Sequence, residues 1–262
     1  MSGTVQPSRE EIEEETEHFR EANTPELKES LYVHDVYNQI ASHFSQTRYK
    51  PWPLVSQFLE GLPKYSLGVD VGCGNGKYLN VDQDLYIVGS DYSTGLISQA
   101  MSLHRGESSN DVMVADGLHL PHPSLRFDFA ISIAVVHHFS TRSRRQDAIR
   151  EILRVLKPEG QALIYCWALE QENSRRGYHE GMNQDVLVPW VLLKRKKKKD
   201  RKPVKEDVSV KDDQESPRTK MRYYHLYKEG ELPEDCTNAG GKVMKSGYEK
   251  DNWWTIVQKG AP

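Results

Sequence analysis

A glycine-rich turn has the most informative residue types and spacing in this sequence. The run from Asp70 to Gly76 reads Asp-Val-Gly-Cys-Gly-Asn-Gly and follows a short apolar segment. Glycines there allow the backbone to turn tightly and to approach a ligand without an intervening Cβ. Asp91 follows about twenty residues later, where an acid can accept hydrogen bonds from two ribose hydroxyls. The spacing therefore predicts a nucleoside-binding site.

The residues around the glycines distinguish between nucleoside cofactors. A dinucleotide-binding pattern would have its third glycine where Lys77 stands, and the carboxylate of Asp70 would repel a pyrophosphate. An acid there suits a cofactor with an amino group and no phosphate. We therefore predict S-adenosyl-L-methionine; the alternatives are a dinucleotide site and a purely structural turn. The expected cofactor-binding residues of this region are Asp70, Gly72, Cys73, Gly74, Asn75, Gly76 and Asp91.

A second acid follows the third apolar segment, in the run Asp116-Gly117-Leu118. Its carboxylate can accept a hydrogen bond from the exocyclic amine of adenine, and Leu118 can contact the ring. The alternative is a capping aspartate in an ordinary turn. Together with the first motif, the pattern favours a role for Asp116, Gly117 and Leu118 in cofactor binding.

Two histidines, His137 and His138, follow the fourth apolar segment. In a doubly wound sheet, the carboxyl ends of the strands line the ligand crevice. We therefore predict that His137 and nearby Arg142 are catalytic. The alternative for either histidine is a structural role at the start of a helix, with a hydrogen bond to the backbone.

Short apolar segments alternate with helical ones through the middle of the chain. Short continuous apolar runs are typical of buried parallel strands, and this alternation predicts an α/β, Rossmann-like, doubly wound and mostly parallel sheet. Two late segments, 222–227 and 253–258, predict the C-terminal antiparallel strand pair of a class I methyltransferase sheet. The predicted strands are 67–71, 86–89, 112–114, 129–136 and 162–167, and the predicted helices are 31–61 in two pieces, a segment around Leu79, 96–103 and 144–156.

The ends and the charged segments suggest how the chain is divided. We predict an acidic, partly disordered N-terminal extension at 1–30, with a solvated helix over Glu10–Glu17, and a single domain at 31–262. Within that domain, a basic run followed by an acidic run predicts a disordered loop at about 194–217.

Composition excludes several classes of protein. The net charge is −3, so overall charge does not indicate a nucleic-acid partner, although local basic patches can serve one. Three widely spaced cysteines indicate a reducing compartment and neither a disulfide framework nor a zinc site in this chain. No apolar run is long enough for a membrane span. We expect a cytoplasmic protein, with the nucleus as an alternative if the lysine run is a nuclear signal.

Several longer stretches resemble the fungal tRNA wobble-uridine carboxymethyl methyltransferases, which are class I S-adenosylmethionine-dependent enzymes. The resemblance covers nearly all of residues 31–259 except the charged loop. It implies methylation of the carboxylate of 5-carboxymethyluridine in the tRNA anticodon loop. It also implies a heterodimer with a small zinc-binding activator protein. The stretches are Val33–Asn38, His43–Pro53, Asp128–His138, Gln161–Gln171, Ser174–Glu180, Tyr223–Leu232 and Asp251–Trp254.

Cations mixed with aromatic residues occur in the same stretches. Such a mixture suits unstacked RNA bases and phosphates, whereas the alternative places aromatics such as Trp52 and Tyr178 in the core. A carboxylate acceptor is ionised at pH 7, so the reaction needs no general base. The predicted substrate-binding residues are Arg48, Tyr49, Lys50, Trp167, Arg175, Arg176 and Tyr178.

Two other functions remain open. A small-molecule methyltransferase on the same fold would not need tRNA. A catalytically silent RNA-binding scaffold would bind the cofactor without turnover.

The third predicted strand, Asp111 to Ala115, is expected at one edge of the sheet. It reads Asp-Val-Met-Val-Ala, without the proline or lysine that protects such edges. We predict that the activator covers it by strand addition; the alternative is that the N-terminal segment of this chain covers it. The predicted partner contacts are Leu96, Ile97, Ala100, Val112, Met113 and Val114.

Overall fold

The structure is a computed structural model that describes residues 9–103, 110–171, 174, 176–192 and 219–260. The charged segment at about 194–217 and Arg175 lie outside these ranges. The division into an extension at 1–30 and a domain at 31–262 stays a prediction.

The described part of the chain contains a seven-stranded sheet and a two-stranded one. The strands are Leu67–Val71 (β1), Tyr86–Asp91 (β2), Val112–Val114 (β3), Phe127–Ile133 (β4), Leu156–Trp167 (β5), Asp185–Val191 (β6), Thr219–His225 (β7), Gly241–Glu249 (β8) and Asn252–Lys259 (β9). The large sheet has the order β3-β2-β1-β4-β5-β9-β8. Strands β1 to β5 are parallel, whereas β9 and β8 are antiparallel. The predicted doubly wound, Rossmann-like sheet is confirmed.

The α-helices of the described residues are Arg9–Glu21 (α1), Pro25–Glu29 (α2), Asp35–Thr47 (α3), Pro53–Glu60 (α4), Thr94–Leu103 (α5), Arg142–Val155 (α6) and Glu231–Asn238 (α7). A π-helical turn joins α2 to α3, and a 3-10 turn, Val136–His138, precedes α6. Within these ranges, no helix is long and apolar enough to cross a membrane. The helix predicted around Leu79 is wrong. Positive φ angles at Gly74 and Gly76 interrupt any helix there, and turns fill the short remainder before β2.

Alternate side chains of the central strands pack on opposite faces of the sheet. On one face, Ala130 of β4 packs in a cluster with Ile149 of α6. On the other face, Phe129 packs with Leu59 of α4. Helices on both faces therefore hold the strands in place, and the carboxyl ends of the parallel strands form one rigid edge.

The two-stranded sheet corrects one detail of the predicted topology. The segment 222–227 was expected to belong to the pair that completes the large sheet. Instead, β7 pairs with β6, from Asp185 opposite His225 to Val191 opposite Thr219. The completing pair is β8 and β9, of which β9 lies against β5. The sequence pattern missed β6 because Pro189 interrupts its apolar run, and it missed β8 because that segment is not a continuous apolar run.

The N-terminal helices pack against the rest of the chain. Phe19 of α1 stacks on Tyr223 of β7 with ring centroids 5.1 Å apart. Glu29 of α2 is buried, and its carboxylate accepts hydrogen bonds from Nε and Nη2 of Arg144 (2.9 and 2.7 Å) and from the amide of Ser140 (2.8 Å). This buried ion pair fixes α2 to the start of α6.

Two glutamates that pair with the same arginine provide a stability test. Glu29→Ala should lower the free energy of unfolding by about 3–5 kcal/mol, because it leaves a partly buried cation and an amide without their acceptor. Glu26 also pairs with Arg144 but is exposed, so Glu26→Ala should cost less than about 1 kcal/mol. Urea denaturation followed by circular dichroism measures both. Equal losses would contradict the role given to the buried pair.

Candidate active site

The strand order of the large sheet reverses between β1 and β4, and a cavity of about 810 Å³ opens at this point. Reversal points of doubly wound sheets are where ligands bind, beyond the carboxyl ends of the strands. The cavity is lined by the glycine turn after β1, the ends of β2, β3, β4 and β5, and parts of α3, β7 and the β8–β9 turn. One cleft therefore connects the predicted cofactor-binding region with elements from the C-terminal half.

The glycine turn has backbone angles that favour glycine. Gly72 has a φ of +80° and Gly74 a φ of +57°, and a Cβ at Gly72 would lie 2.2 Å from a methyl carbon of Val135. The amides of Gly72 and Cys73 both donate to the carbonyl of Ser90, at 2.7 and 2.9 Å. The turn is thereby fixed to the end of β2, with bare backbone facing the cleft.

Asp70, the last residue but one of β1, presents an unpaired acid to the cavity. Its side chain is 1% exposed, and Oδ2 accepts no hydrogen bond from any described residue. Burial raises the pKa of this carboxyl to about 8; Asp91 adds to the effect and Lys77 opposes it. Such a group is stabilised by an incoming cation.

Two further acids lie where the sequence predicts them. The carboxylate of Asp91 accepts the amides of Gly74 and Ser93 at 2.9 and 2.8 Å, and burial raises its pKa to about 6. Its oxygens keep lone pairs that can accept ribose hydroxyls. Asp116 lines the cavity while its carboxylate accepts the amide of Leu118 at 2.9 Å. Asp116 therefore caps its own turn and still faces the cleft.

Eight of the ten predicted cofactor-binding residues line the cavity: Asp70, Gly72, Cys73, Gly74, Asn75, Asp91, Asp116 and Gly117. Gly76 does not, and its positive φ serves to turn the chain. The side chain of Leu118 packs with Phe139 and Ala148 in the core. The structure therefore does not place Leu118 against a bound adenine.

Most of the predicted substrate-binding residues line the same cleft, and the part that they form is called its acceptor end below. Those that line it are Arg48, Tyr49, Lys50, Trp167 and Arg176. The guanidinium of Arg176 lies 4.1 Å from the ring centroid of Trp167, and Tyr49 is 62% exposed. The structure does not support a substrate contact for Tyr178, because this residue packs against the core cluster around Leu169 and does not line the cavity. Arg175, which was also predicted to bind substrate, lies outside the described ranges.

The histidine pair is arranged differently from the prediction. His138 lines the cavity, whereas His137 is fully buried beside it, and its Nδ1 accepts the amide of Trp167 at 2.9 Å. The direction of each side chain is decided by the 3-10 turn that carries both. Burial lowers the pKa of His137 well below the usual range and that of His138 to about 3. Both imidazoles are therefore neutral at pH 7, and His137 is not placed to touch a substrate.

Arg142, which was predicted to be catalytic, does not line the cavity. Its Nε donates to Asp235 at 2.7 Å and its Nη2 lies 2.9 Å from Glu234. The acids of α7 therefore satisfy this guanidinium, and its position argues against the predicted catalytic role.

Several residues at the acceptor end were missed by the sequence analysis. Arg222 stands next to Tyr223 and Tyr224, which is the same mixture of cation and aromatics that identified Arg48 to Lys50. That signal was available, but nothing in the sequence shows that β7 reaches the cleft. The missed lining residues are Tyr37, Arg222, Tyr224, Lys250, Asp251 and Asn252.

A chain of hydrogen bonds joins His138, Tyr37, Tyr224 and Arg222. Which atom donates in each of these bonds follows from a single backbone carbonyl. Nδ1 of His138 lies 2.8 Å from the carbonyl oxygen of Tyr223, which can only accept, so Nε2 of His138 accepts from the hydroxyl of Tyr37 at 3.0 Å. The oxygen of Tyr37 then accepts from the hydroxyl of Tyr224 at 3.1 Å. Nη1 of Arg222 donates to both hydroxyl oxygens, at 3.3 and 2.7 Å. Arg222 is therefore held by neutral groups in a fixed orientation.

The cofactor end fits S-adenosylmethionine. The unpaired oxygen of Asp70 suits an ammonium group, Asp91 suits ribose hydroxyls, and Asp116 suits the amine of adenine. The bare backbone at the glycine turn leaves room for the ligand between them.

Comparison with known proteins identifies the family. The methyltransferase domain family matches residues 69–164. A tRNA (carboxymethyluridine(34)-5-O)-methyltransferase of Saccharomyces cerevisiae is 53% identical, over 91% of this chain and 99% of that protein. The chain belongs to this family. The Schizosaccharomyces pombe member is 50% identical, over 88% of this chain and 97% of its own length. The chain is an S-adenosylmethionine-dependent methyltransferase.

A solved complex of the Haloferax volcanii Trm112 methyltransferase activator with a methyltransferase shares the fold. The TM-score is 0.56 with 13% sequence identity, over 88% of this chain and 99% of that one.

Cofactor binding by this family member should depend on pH through Asp70. Because a bound ammonium lowers the raised pKa of Asp70, binding should release a proton below about pH 8, and affinity should weaken by up to about tenfold per pH unit on acidification. Burial lowers the pKa of Lys77 to about 8, and its protonation repels the same ligand, so it acts in the same direction.

Calorimetry in buffers of different ionisation enthalpy measures this proton release. Asp70→Asn should weaken binding by about 1.5–3 kcal/mol at pH 8 and release fewer protons at pH 7. Cys73→Ser alters a neutral residue of the same turn and should keep the pH dependence. Identical proton release by the wild type and Asp70→Asn would remove Asp70 from the ammonium site.

Proposed function

We propose that this protein transfers the methyl group of S-adenosylmethionine to the carboxylate of 5-carboxymethyluridine at the tRNA wobble position, forming the methyl ester. The observation that carries the proposal is one cleft lined both by the acids Asp70, Asp91 and Asp116 and by a set of cations and aromatics. Relatives that are 50% and 53% identical are named for this activity.

The acceptor end has the chemistry that a carboxylate nucleophile needs. The bound cofactor would supply a methyl carbon on a positively charged sulfonium. When a carboxylate oxygen bonds to that carbon, the carbon–sulfur bond breaks, its electron pair stays on sulfur, and the cofactor leaves as a neutral thioether. The acceptor is already ionised at pH 7, so His138 can remain neutral and serve to orient Tyr37. The work of the protein is to align the acceptor and exclude water.

The mouth of the cleft suits an RNA loop. Arg48, Lys50 and Arg176 supply positive charge there, while exposed Tyr49 offers a face for an unstacked base. Nζ of Lys50 lies 5.9 Å from the ring centroid of Tyr49, so charge and aromatic surface are contiguous. We infer that the anticodon loop contacts this rim while the wobble base enters the cleft.

Nucleoside analysis of tRNA tests the reaction. A strain that lacks the gene should lose the methyl ester at the wobble uridine and accumulate the free acid, as measured by mass spectrometry. Restoring the wild-type gene should return the ester, and restoring Asp70→Asn should return less. Unchanged ester levels would refute the proposal. A small-molecule methyltransferase predicts turnover without tRNA, and a silent scaffold predicts cofactor binding without any turnover.

The open edge of the large sheet supports a protein partner. β3 is one of the two edge strands of the large sheet, and Val114 is 50% exposed. The carbonyl of Asp111 and the amide of Ala115 bond to β2. Since backbone groups alternate sides along a strand, those of Val112 and Val114 face the open edge. Strand addition by a small zinc-binding activator would cover them. This proposal is supported by the Haloferax volcanii structure, in which a methyltransferase of the same fold was solved in complex with the Trm112 activator.

Part of the predicted partner surface is wrong. Leu96, Ile97 and Ala100 are buried within this chain, where α5 packs against α3. A helical apolar pattern marks the face that is buried but not the element that covers it. Met101 is exposed on α5, a helix that contacts β3. Among the described residues, the N-terminal α1 lies at Tyr223 and not at this edge.

One substitution at the edge tests the partner. Val114→Pro removes an outward-facing amide and should abolish co-purification with the activator, whereas Val114→Thr keeps the amide and should bind normally. S-adenosylmethionine affinity, measured in parallel, reports whether each variant is folded. A complex that is indifferent to Val114→Pro, or a chain that is fully active alone, would defeat the proposal.

We also propose that the protein works in the cytoplasm, where its tRNA substrate and a reducing environment are both found. The run Lys194 to Lys199 makes the nucleus the alternative location.

A further inference from the structure

Arg222 is a buried cation without an acidic partner. It is 5% exposed and lines the cleft, and no described carboxylate lies within ion-pair distance of it. Arg145, the other buried arginine among the described residues, differs because it lies 3.7 Å from Glu231 and does not line the cleft. An unpaired buried charge is costly, so a chain that keeps one at a ligand cavity leaves it for a ligand of opposite sign.

Neutral groups hold the guanidinium without neutralising it. Its carbon lies 4.7 Å from the ring centroid of Trp190 and 5.1 Å from that of Tyr224, so aromatic faces offset part of the desolvation cost. Its Nη1 donates to the hydroxyls of Tyr37 and Tyr224. The hydrogen-bond chain from His138 fixes the orientation of both hydroxyls.

These contacts leave one edge of the guanidinium unused. Nε is buried with no partner, and Nη2 donates to none of the residues that the structure describes. The N–H groups of Nε and Nη2 are parallel, which matches the two oxygens of a carboxylate. The free edge therefore has both the charge and the geometry for bidentate binding.

We propose that Arg222 binds the carboxylate of the substrate through Nε and Nη2, and that it selects a 5-carboxymethyl group over its uncharged analogues. The inference rests on the proposed function and assigns its acceptor group to one residue. Arg176 and Arg48 at the rim are then left for the phosphates and the base of the RNA.

The chemistry restricts what Arg222 can do. The carboxylate loses its negative charge as the new C–O bond forms, so a cation beside it does not stabilise the transition state over the bound substrate. Arg222 therefore acts in binding and selection. Its loss should raise KM more than it lowers kcat, and the neutral ester product should leave the site easily.

A cycle of protein and ligand changes tests the assignment. The probes are two tRNAs that differ only in carrying 5-carboxymethyluridine or its uncharged amide, 5-carbamoylmethyluridine, at the wobble position. Binding to the wild-type complex should favour the acid by roughly 10- to 100-fold, as expected for charge-assisted hydrogen bonds. Arg222→Gln should reduce this preference to near unity while S-adenosylmethionine affinity stays unchanged.

Two further variants keep the test decisive. Arg145→Gln removes the other buried arginine and should lower stability while keeping the preference for the acid. Arg222→Lys retains the charge without the bidentate edge and should show an intermediate preference, which also serves if Arg222→Gln does not fold. A preference that survives in both Arg222 variants overturns the assignment. A wild-type complex that forms no ester on either tRNA would instead overturn the proposed function.

Discussion

Two buried ionisable groups, an acid and a base, share one cleft without forming an ion pair. Oδ2 of Asp70 and Nε of Arg222 are both buried without a hydrogen-bond partner. A polar atom that is left unpaired in a low-dielectric interior costs free energy. If the two could meet, each would neutralise the other and the cleft would lose its function. The fold keeps them apart by placing Asp70 on the central strand β1 and Arg222 on β7, outside the large sheet. Each charge is thus kept for a ligand group of the opposite sign.

The remainder of the site depends on how rigidly this separation is maintained. At the cofactor end, the amides of Gly72 and Cys73 and the carboxylate of Asp91 connect the turn to β2, so Asp70 has little freedom to move. At the other end, the arrangement of Tyr37 and Tyr224 restrains Arg222. At neither end does the restraint place a group of opposite charge against Asp70 or Arg222, so both are held in position without being neutralised. Such a site suits a methyl transfer, because that reaction depends on the alignment of the two reactants and not on the transfer of a proton.

The sequence predicted the parts of the molecule that are local and failed where distant segments converge. The glycine turn and Asp91 lie within one strand–turn–strand unit, so their spacing alone reveals the site. Tyr37 and Arg222 are remote in sequence, and only the packing of α3 against β7 brings them together. The choice between His137 and His138 depends on the rotation of a single 3-10 turn, which no residue pattern specifies. Leu96 and its neighbours show the same limit, because periodicity predicts burial but not the surface that provides it.

The β6–β7 hairpin forms a small sheet of its own, separate from the large sheet that carries the cofactor-binding turn. An isolated bridge between Ala168 and Tyr227 connects the chain after β7 to the chain after β5. A shift of the hairpin relative to β5 would therefore move Arg222 while the glycine turn and Asp70, which lie in the large sheet, keep their places.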